Sequence, residues 1–259
     1  MAKRGDVIEH PVTGERFTFL ETGEDTGGEY SRIEARVIPH GFVAAAHVHP
    51  LIEETFEIRA GTWAFVVDGK ETRVGPGEGA SIPVGTPHAW WNAGEEEGVA
   101  IVEFRPALKA DEFFESFFGL AQDGKVSPKT GLPNLLWMAL ILRHYRDFVH
   151  LARPPLFVQR AVFTPLTAVA KVLGYRLPYP YPYGRPRGAK PRTNVPWQRA
   201  PLRARPLGRV VLHRGLGIDA LACRLTLLAA AFCRGVAVAE AIGLVARLDV
   251  MAVMRETIE

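Results

Sequence analysis

Short apolar segments, separated by turns that contain glycine or proline, fill the first 108 residues of the chain. In several of these segments apolar and polar side chains alternate, which is typical of β-strands with one buried face. The pattern predicts nine strands, at residues 16–21, 30–38, 47–50, 54–59, 62–67, 71–74, 79–82, 88–92 and 98–104. Many short strands with regularly spaced turns favour a sandwich or a barrel over a βαβ sheet.

The clearest turn signal is the dipeptide Asp68-Gly69 between two candidate strands. A two-residue Asp-Gly connection is typical of the hairpin turn whose twist matches that of its flanking strands. The pattern therefore predicts a tight hairpin here, inside a mainly β domain that covers residues 1–108.

Helical spacing replaces the alternation after residue 108. Asp111 and Glu112 open a phenylalanine-rich run, where acidic side chains favour the positive end of the helix dipole. A second run from residue 135 continues toward Pro154, and a third covers residues 155–174, where Pro165 is expected to kink or split the helix. Residues 109–183 are thus predicted to be a helical extension. Arginine and lysine interrupt these runs, so no membrane span is expected.

The remaining residues, 184–259, differ in charge from the rest of the chain. They contain 13 Lys and Arg against 5 Asp and Glu. Residues 184–214 are predicted to be a basic linker, and an Ala- and Leu-rich tail follows. Trp197 is the only aromatic residue in that linker, whereas single-stranded nucleic-acid binders interleave aromatic and basic residues, so no nucleic-acid partner is expected. The two cysteines, Cys223 and Cys233, form no disulfide framework, which favours a reducing, cytoplasmic location.

Candidate chemistry is concentrated between residues 41 and 92. His47 and His49 are two residues apart, so they project from one face of an extended strand. Glu54 lies at an odd offset from them, and it joins that face only if the chain bends near Pro50. His88 begins a later strand. Because side chains alternate between the two faces of a strand, Trp90 and Asn92 lie on the same face as His88.

Three imidazoles and one carboxylate are suitable ligands for Fe, Mn, Ni, Co, Cu or Zn as a divalent ion. We therefore expect one divalent transition metal bound by His47, His49, Glu54 and His88. Four protein ligands on an octahedral ion leave two positions open for water, dioxygen or a substrate. The other histidines, His10, His40, His144, His150 and His213, have no comparable context and are interpreted as structural or exposed.

Two segments of the chain, residues 41–61 and residues 77–92, resemble the two motifs of the cupin superfamily at every motif position. The first contains Gly41, His47, His49, Glu54 and Gly61, and the second contains Gly77, Pro83, Gly85, His88 and Asn92. This resemblance implies a jelly-roll β-barrel of six to eight strands with the metal inside, bound by the three histidines and Glu54. The glycines, Pro83 and Asn92 are then scaffold. More loosely, residues 5–183 look like bacterial single-domain cupins with a helical C-terminal extension.

The cupin fold and a metal site do not identify the reaction, because cupins include oxygenases, isomerases, decarboxylases and non-catalytic proteins. One interpretation is a metal-dependent oxygenase or isomerase/lyase that acts on a small aromatic or oxygenated molecule. The alternative is a non-catalytic, small-molecule-binding or sensory module. Parity predicts that Phe56, Ile58 and Trp90 line the pocket, and no catalytic residue beyond the metal ligands is identified. A homodimer is expected, because pairing would cover exposed sheet edges.

Overall fold

The computed structural model describes residues 1–184 of the 259-residue chain. Two sheets and three helices form the described part. The first ten strands are β1 (Val7–His10), β2 (Glu15–Glu21), β3 (Ser31–Val37), β4 (His47–Val48), β5 (Glu53–Ala60), β6 (Trp63–Val67), β7 (Lys70–Val74), β8 (Gly79–Ile82), β9 (His88–Asn92) and β10 (Gly98–Arg105). They are followed by α1 (Ala110–Gln122), α2 (Leu135–His144), β11 (His150–Leu151) and α3 (Leu156–Val172).

The strands form two antiparallel sheets that face each other across an apolar interior. One sheet has the order β1-β2-β3-β10-β5-β8, and the other has the order β11-β4-β9-β6-β7. Alternate residues of β2, β3, β9 and β10 are buried, as expected for strands with one face on a core. The predicted fold class, a mainly β jelly-roll barrel followed by helices, is confirmed.

The hairpin predicted at Asp68-Gly69 joins β6 to β7. Asp68 has a φ of 48° and Gly69 a φ of 76°, and Val67 pairs with Lys70 across the turn. Positive φ at both central residues defines the turn that suits a right-handed twist. Strand β1 was not predicted, because its four residues contain only two apolar side chains, Val7 and Ile8.

The helical extension begins at α1, which packs on the β2–β3–β10 side of the barrel. Phe114 contacts the rings of Phe17 and Phe104 at centroid distances of 5.2 and 5.3 Å. At the start of the helix the Asp111 carboxylate accepts hydrogen bonds from Ser31 Oγ and the Gly23 amide. These contacts attach the extension to the barrel.

The predicted end of the second helical run was wrong, and so was a split of the third at Pro165. Helix α2 ends at His144 rather than continuing to Pro154, because Phe148 turns into the core and the chain then pairs as β11 with β4. Helix α3 is not split at Pro165. Both Pro165 and Ala161, whose carbonyl loses its usual partner, are on the exposed side, so water can satisfy that carbonyl.

None of the helices within residues 1–184 has the length and apolar character to cross a membrane. The predicted basic linker, the Ala- and Leu-rich tail, His213, Cys223 and Cys233 lie outside the described residues, except that the linker's first residue, Gly184, is described.

Candidate metal centre

The four predicted ligands come together inside the barrel. One ligand atom from each of His47, His49, Glu54 and His88 lies within 4.8 Å of the others. His49, Glu54 and His88 are buried, and His47 is half-buried. These distances are compatible with a shared cation, which the chemistry of the donor set also suits.

The bend near Pro50 is present and brings Glu54 to the histidines. Strand β4 belongs to the five-stranded sheet, and β5, which begins one residue before Glu54, belongs to the six-stranded sheet. Residues 49–52 therefore carry the chain from one wall of the barrel to the other. His47 of β4 pairs directly with His88 of β9, which completes the group.

Backbone carbonyls orient all three imidazoles. The Nδ1 atom of His47 lies 3.0 Å from Ala45 O, that of His88 lies 2.9 Å from Thr86 O, and that of His49 lies 2.6 Å from Phe148 O. A carbonyl oxygen only accepts, so each Nδ1 carries the hydrogen and donates it. The lone pair of each ring is therefore on Nε2, the atom available to a metal.

The contacts around Glu54 require a positive charge. His88 Nε2 lies 2.8 Å and His49 Nε2 lies 3.5 Å from Glu54 Oε2. With the hydrogens on Nδ1, these Nε2 lone pairs point toward a carboxylate, which is repulsive unless a proton or a metal ion lies between them.

A proton on His88 removes only part of this conflict. Burial opposes ionisation of both groups, but the contact with Glu54 holds the pKa of His88 above its ordinary value, and both histidines hold the pKa of Glu54 well below its own. The Nε2 atom of His49 is still buried without a hydrogen-bond partner. Burial, with the neighbouring histidines, lowers the pKa of His47, so its nitrogen is also a neutral donor. A divalent cation satisfies all four groups at once.

An apolar cavity of about 90 Å³ adjoins the ligands. This volume is several times the ~10–15 Å³ that one ordered water requires. His47, His49, Glu54 and Glu15 are the titratable residues in its wall. About half of the wall comes from the helical extension: Phe113, Phe114, Phe117, Phe118, Leu132, Met138, Ile141, Leu142, Phe148, Val149 and Leu151.

Two of the three residues predicted to line a pocket contact this cavity. Phe56 and Trp90 are in its wall, whereas Ile58 is not. Ile58 shares the inward face of β5 with Phe56, but it is fully buried in the apolar core of the barrel. Parity along a strand identifies the inward face and cannot say which inward residues border a cavity.

Sequence reasoning missed two contributions to the site. Glu15 lines the cavity, and its pattern was visible, because it lies on the same face of β2 as Phe17 and Phe19. The carbonyl of Phe148, which accepts a hydrogen bond from His49 Nδ1, could not be predicted from the sequence, because every residue type has a backbone oxygen.

The scaffold positions have clear roles. The Asn92 amide donates to the carbonyls of Val37, Ile38 and Glu96, so it joins β9 to the end of β3 and to the following loop. Gly61 has a φ of 76°, and a Cβ there would lie 2.8 Å from Gly98 Cα. Only glycine fits such a turn without strain.

The other described histidines lie outside the metal group. His10 is buried and its ring bridges Thr13 and Gly131, while burial lowers its pKa to about 4. His144 contacts Glu112, His150 contacts the Leu151 carbonyl, and His40 is an exposed side chain near Glu95.

Several solved structures are similar to part of this chain at low identity. A sugar phosphate isomerase of the cupin superfamily from Silicibacter pomeroyi is 22% identical, with 36% of this chain and 60% of that chain covered and a TM-score of 0.33. The chain thus spans less than two thirds of that protein. A predicted oxalate decarboxylase from Thermotoga maritima is 18% identical, with 41% and 99% covered and a TM-score of 0.36.

KdgF from a Halomonas species is 16% identical, with 39% of this chain and 86% of that chain covered and a TM-score of 0.35. No curated protein matches the chain. Residues 34–104 match the family model described as a cupin domain, and this range contains all four candidate ligands. This part of the chain therefore belongs to the cupin family.

Proposed function

We propose that the protein binds one divalent transition metal through His47, His49, Glu54 and His88. We propose further that it acts on a small oxygenated or aromatic molecule, as an oxygenase or as an isomerase/lyase. The observation that carries this proposal is the orientation of the imidazoles. Backbone carbonyls hold the three Nδ1 atoms and leave the three Nε2 lone pairs free for a metal. Those of His49 and His88 face the buried Glu54 carboxylate, which is repulsive unless a cation lies between them.

The bound metal would act as a Lewis acid that stabilises negative charge on a ligand oxygen. The protein's own groups prepare the site for that chemistry. The carbonyls hold the imidazoles in place, and Glu54 contributes one negative charge, which leaves a net positive centre on a dication. The phenylalanines of the cavity exclude bulk water, which strengthens the attraction between the centre and an anionic oxygen.

Turnover tests the enzymatic proposal. Protein loaded with each of Fe, Mn, Ni, Co, Cu and Zn is offered enols, catechols and hydroxy acids, while oxygen consumption and absorbance are recorded. We expect turnover with one substrate class, and none in the metal-deficient Glu54→Gln variant. Metal-replete protein that leaves every class unchanged would contradict this proposal.

A non-catalytic binding module is the second candidate, and the composition of the cavity supports it. Beyond the four titratable groups, the wall is almost wholly apolar, and the described residues add no lysine or arginine to it. Such a module would raise its melting temperature with a ligand from these classes and release that ligand unchanged. Product in the same sample would exclude it.

Other expectations remain predictions. The homodimer would show as twice the chain mass in light scattering at micromolar concentration. The cytoplasmic location, the lack of a nucleic-acid partner and the division at residues 108 and 183 are likewise proposals. Limited proteolysis followed by mass measurement would test the boundaries.

A further inference from the structure

Glu15 is a second carboxyl group in the cavity wall, in addition to Glu54. It begins strand β2 and shares the inward face with Phe17. Its side chain is buried, with a relative exposure of 5%. A buried acid that borders an apolar cavity is costly to ionise, so its surroundings decide which form it takes.

The surroundings of Glu15 provide little support for a negative charge. Within residues 1–184 the one hydrogen bond to its carboxyl group comes from Thr13 Oγ1, at 2.5 Å. His10 faces it from β1, but its ring is neutral and occupied, with Nδ1 accepting from the Thr13 amide and Nε2 donating to Gly131 O. The candidate metal ligands His47, His49 and Glu54 share its cavity, where a bound dication would outweigh the charge of Glu54, and α1 contributes phenylalanines.

These surroundings favour the neutral acid. Burial, opposed in part by the Thr13 hydroxyl and with a smaller contribution from the charge of Glu54, raises the pKa of Glu15 to about 8 in the protein without bound metal. A carboxylic acid that stays protonated at neutral pH can donate a hydrogen bond, which a carboxylate cannot. The rest of the cavity has no comparable donor, since its wall is otherwise apolar apart from the metal ligands and the Trp90 indole.

We propose that Glu15 is a protonated acid which donates a hydrogen bond to an oxygen of a ligand held at the metal. This inference rests on the proposed function, because it requires an occupied metal site. It narrows the ligand class to molecules with an apolar frame, one anionic oxygen for the metal and a second oxygen for Glu15. Ionised Glu15 would repel such a ligand, so Glu15 makes binding dependent on pH.

The experiment uses the full chain loaded with Co(II), and benzoate as the probe. Benzoate is an aromatic frame with two oxygens, and it stays anionic between pH 6.5 and 9.5. Elemental analysis first establishes cobalt stoichiometry. Benzoate affinity is then measured across this range from the Co(II) absorption bands, for the wild type, Glu15→Gln and Thr13→Val. Hydroxide competes for the metal in all three proteins, so the ratio of wild-type to Glu15→Gln affinity is the readout.

We expect that ratio to fall by at least about ten-fold from pH 7 to pH 9.5, because the protonated fraction of Glu15 falls across this range. Thr13→Val should move the fall to higher pH, because the lost hydroxyl had favoured the ionised form. A constant ratio with cobalt bound would overturn the role of Glu15 and leave the metal site intact. Absence of bound cobalt would remove the proposed function, and this inference with it. If Glu15→Gln does not fold, a Thr13→Val profile identical to that of the wild type overturns the inference.

Discussion

The barrel and the helical extension contribute to one site in different ways. The barrel strands supply the four side chains that converge on the candidate metal position, within a segment of 42 residues. The extension supplies phenylalanine rings to the cavity and one backbone carbonyl, that of Phe148, to His49. If the proposed ion is bound, the barrel determines which ions the site accepts, and the extension determines which molecules reach the ion and how far water is excluded from it.

This difference explains why the contribution of the barrel to the site could be predicted from the sequence, whereas that of the extension could not. Metal ligands must be particular residue types at particular spacings, so they leave a motif. A cavity wall only needs apolar side chains of suitable size, and a carbonyl acceptor needs no particular residue at all. Four changes to the protein or its conditions test this contrast, from the largest expected effect to the smallest.

Removal of a barrel ligand should abolish metal binding. In His88→Ala the site loses one imidazole of three, and we expect metal affinity to fall by more than about 100-fold, above the range for loss of an outer-shell partner. Elemental analysis of protein purified without chelator measures this. The control is His40→Ala, which removes an exposed histidine. Equal metal content in wild type and His88→Ala would take His88 out of the site.

Removal of a cavity ring from the extension should act on stability. Phe148 is 1% exposed and contacts the rings of Phe104, Phe113 and Phe114. Phe148→Ala should lower the free energy of unfolding by about 3–5 kcal/mol in urea denaturation. Phe157→Ala is the matched control, since Phe157 is 74% exposed, and should stay within about 0.5 kcal/mol. Similar losses in both variants would mean that the extension is not packed as described.

The neutral form of Glu15, at the boundary between the two regions, should affect stability as a function of pH. Its pKa is about 8 in the folded protein against 4.5 ordinarily, so the folded state binds an extra proton between these values. The stabilisation is complete below pH 4.5 and is lost as the pH rises to 8. Relative to Glu15→Gln, wild-type stability should therefore fall across this window by about 1 kcal/mol per pH unit.

Denaturation at several pH values, compared between the two proteins, measures this slope. The comparison is needed because His10 acts in the opposite direction. Its lowered pKa, about 4, makes the wild type less stable as the pH falls from 6.5. Parallel curves for wild type and Glu15→Gln would show that Glu15 has an ordinary pKa.

The smallest effect is expected from a local feature of the extension. The Asn134 side chain accepts hydrogen bonds from the amides of Leu136 and Trp137 and so caps α2. Asn134→Ala should lower the free energy of unfolding by about 1 kcal/mol in urea denaturation, while Asn134→Asp should retain most of it. A loss in the aspartate variant as large as in the alanine variant would argue against a capping role.

Particular residues show how far prediction from sequence reached. The strands around Phe17, Ile33 and Trp63 followed from short segments rich in Val, Ile, Phe and Trp between turns, and the bend at Pro50 followed from the odd offset of Glu54. Parity selected Phe56 and Ile58 together, although only Phe56 borders the cavity. The end of α2 was missed, because helical spacing continues through Tyr145 and Phe148, while the pairing of β11 with β4 takes the chain out of the helix.

The sequence by itself determined the four candidate ligands and the class of fold. Both depend on residue types at short, regular separations, which set side-chain direction and turn geometry locally. Only the tertiary structure decided that Glu15 lies in the same cavity as the candidate metal ligands and that the Phe148 carbonyl orients His49, 99 residues away in the chain. Such contacts arise from the packing of whole elements, because the burial of apolar surface that brings them together does not depend on order along the chain.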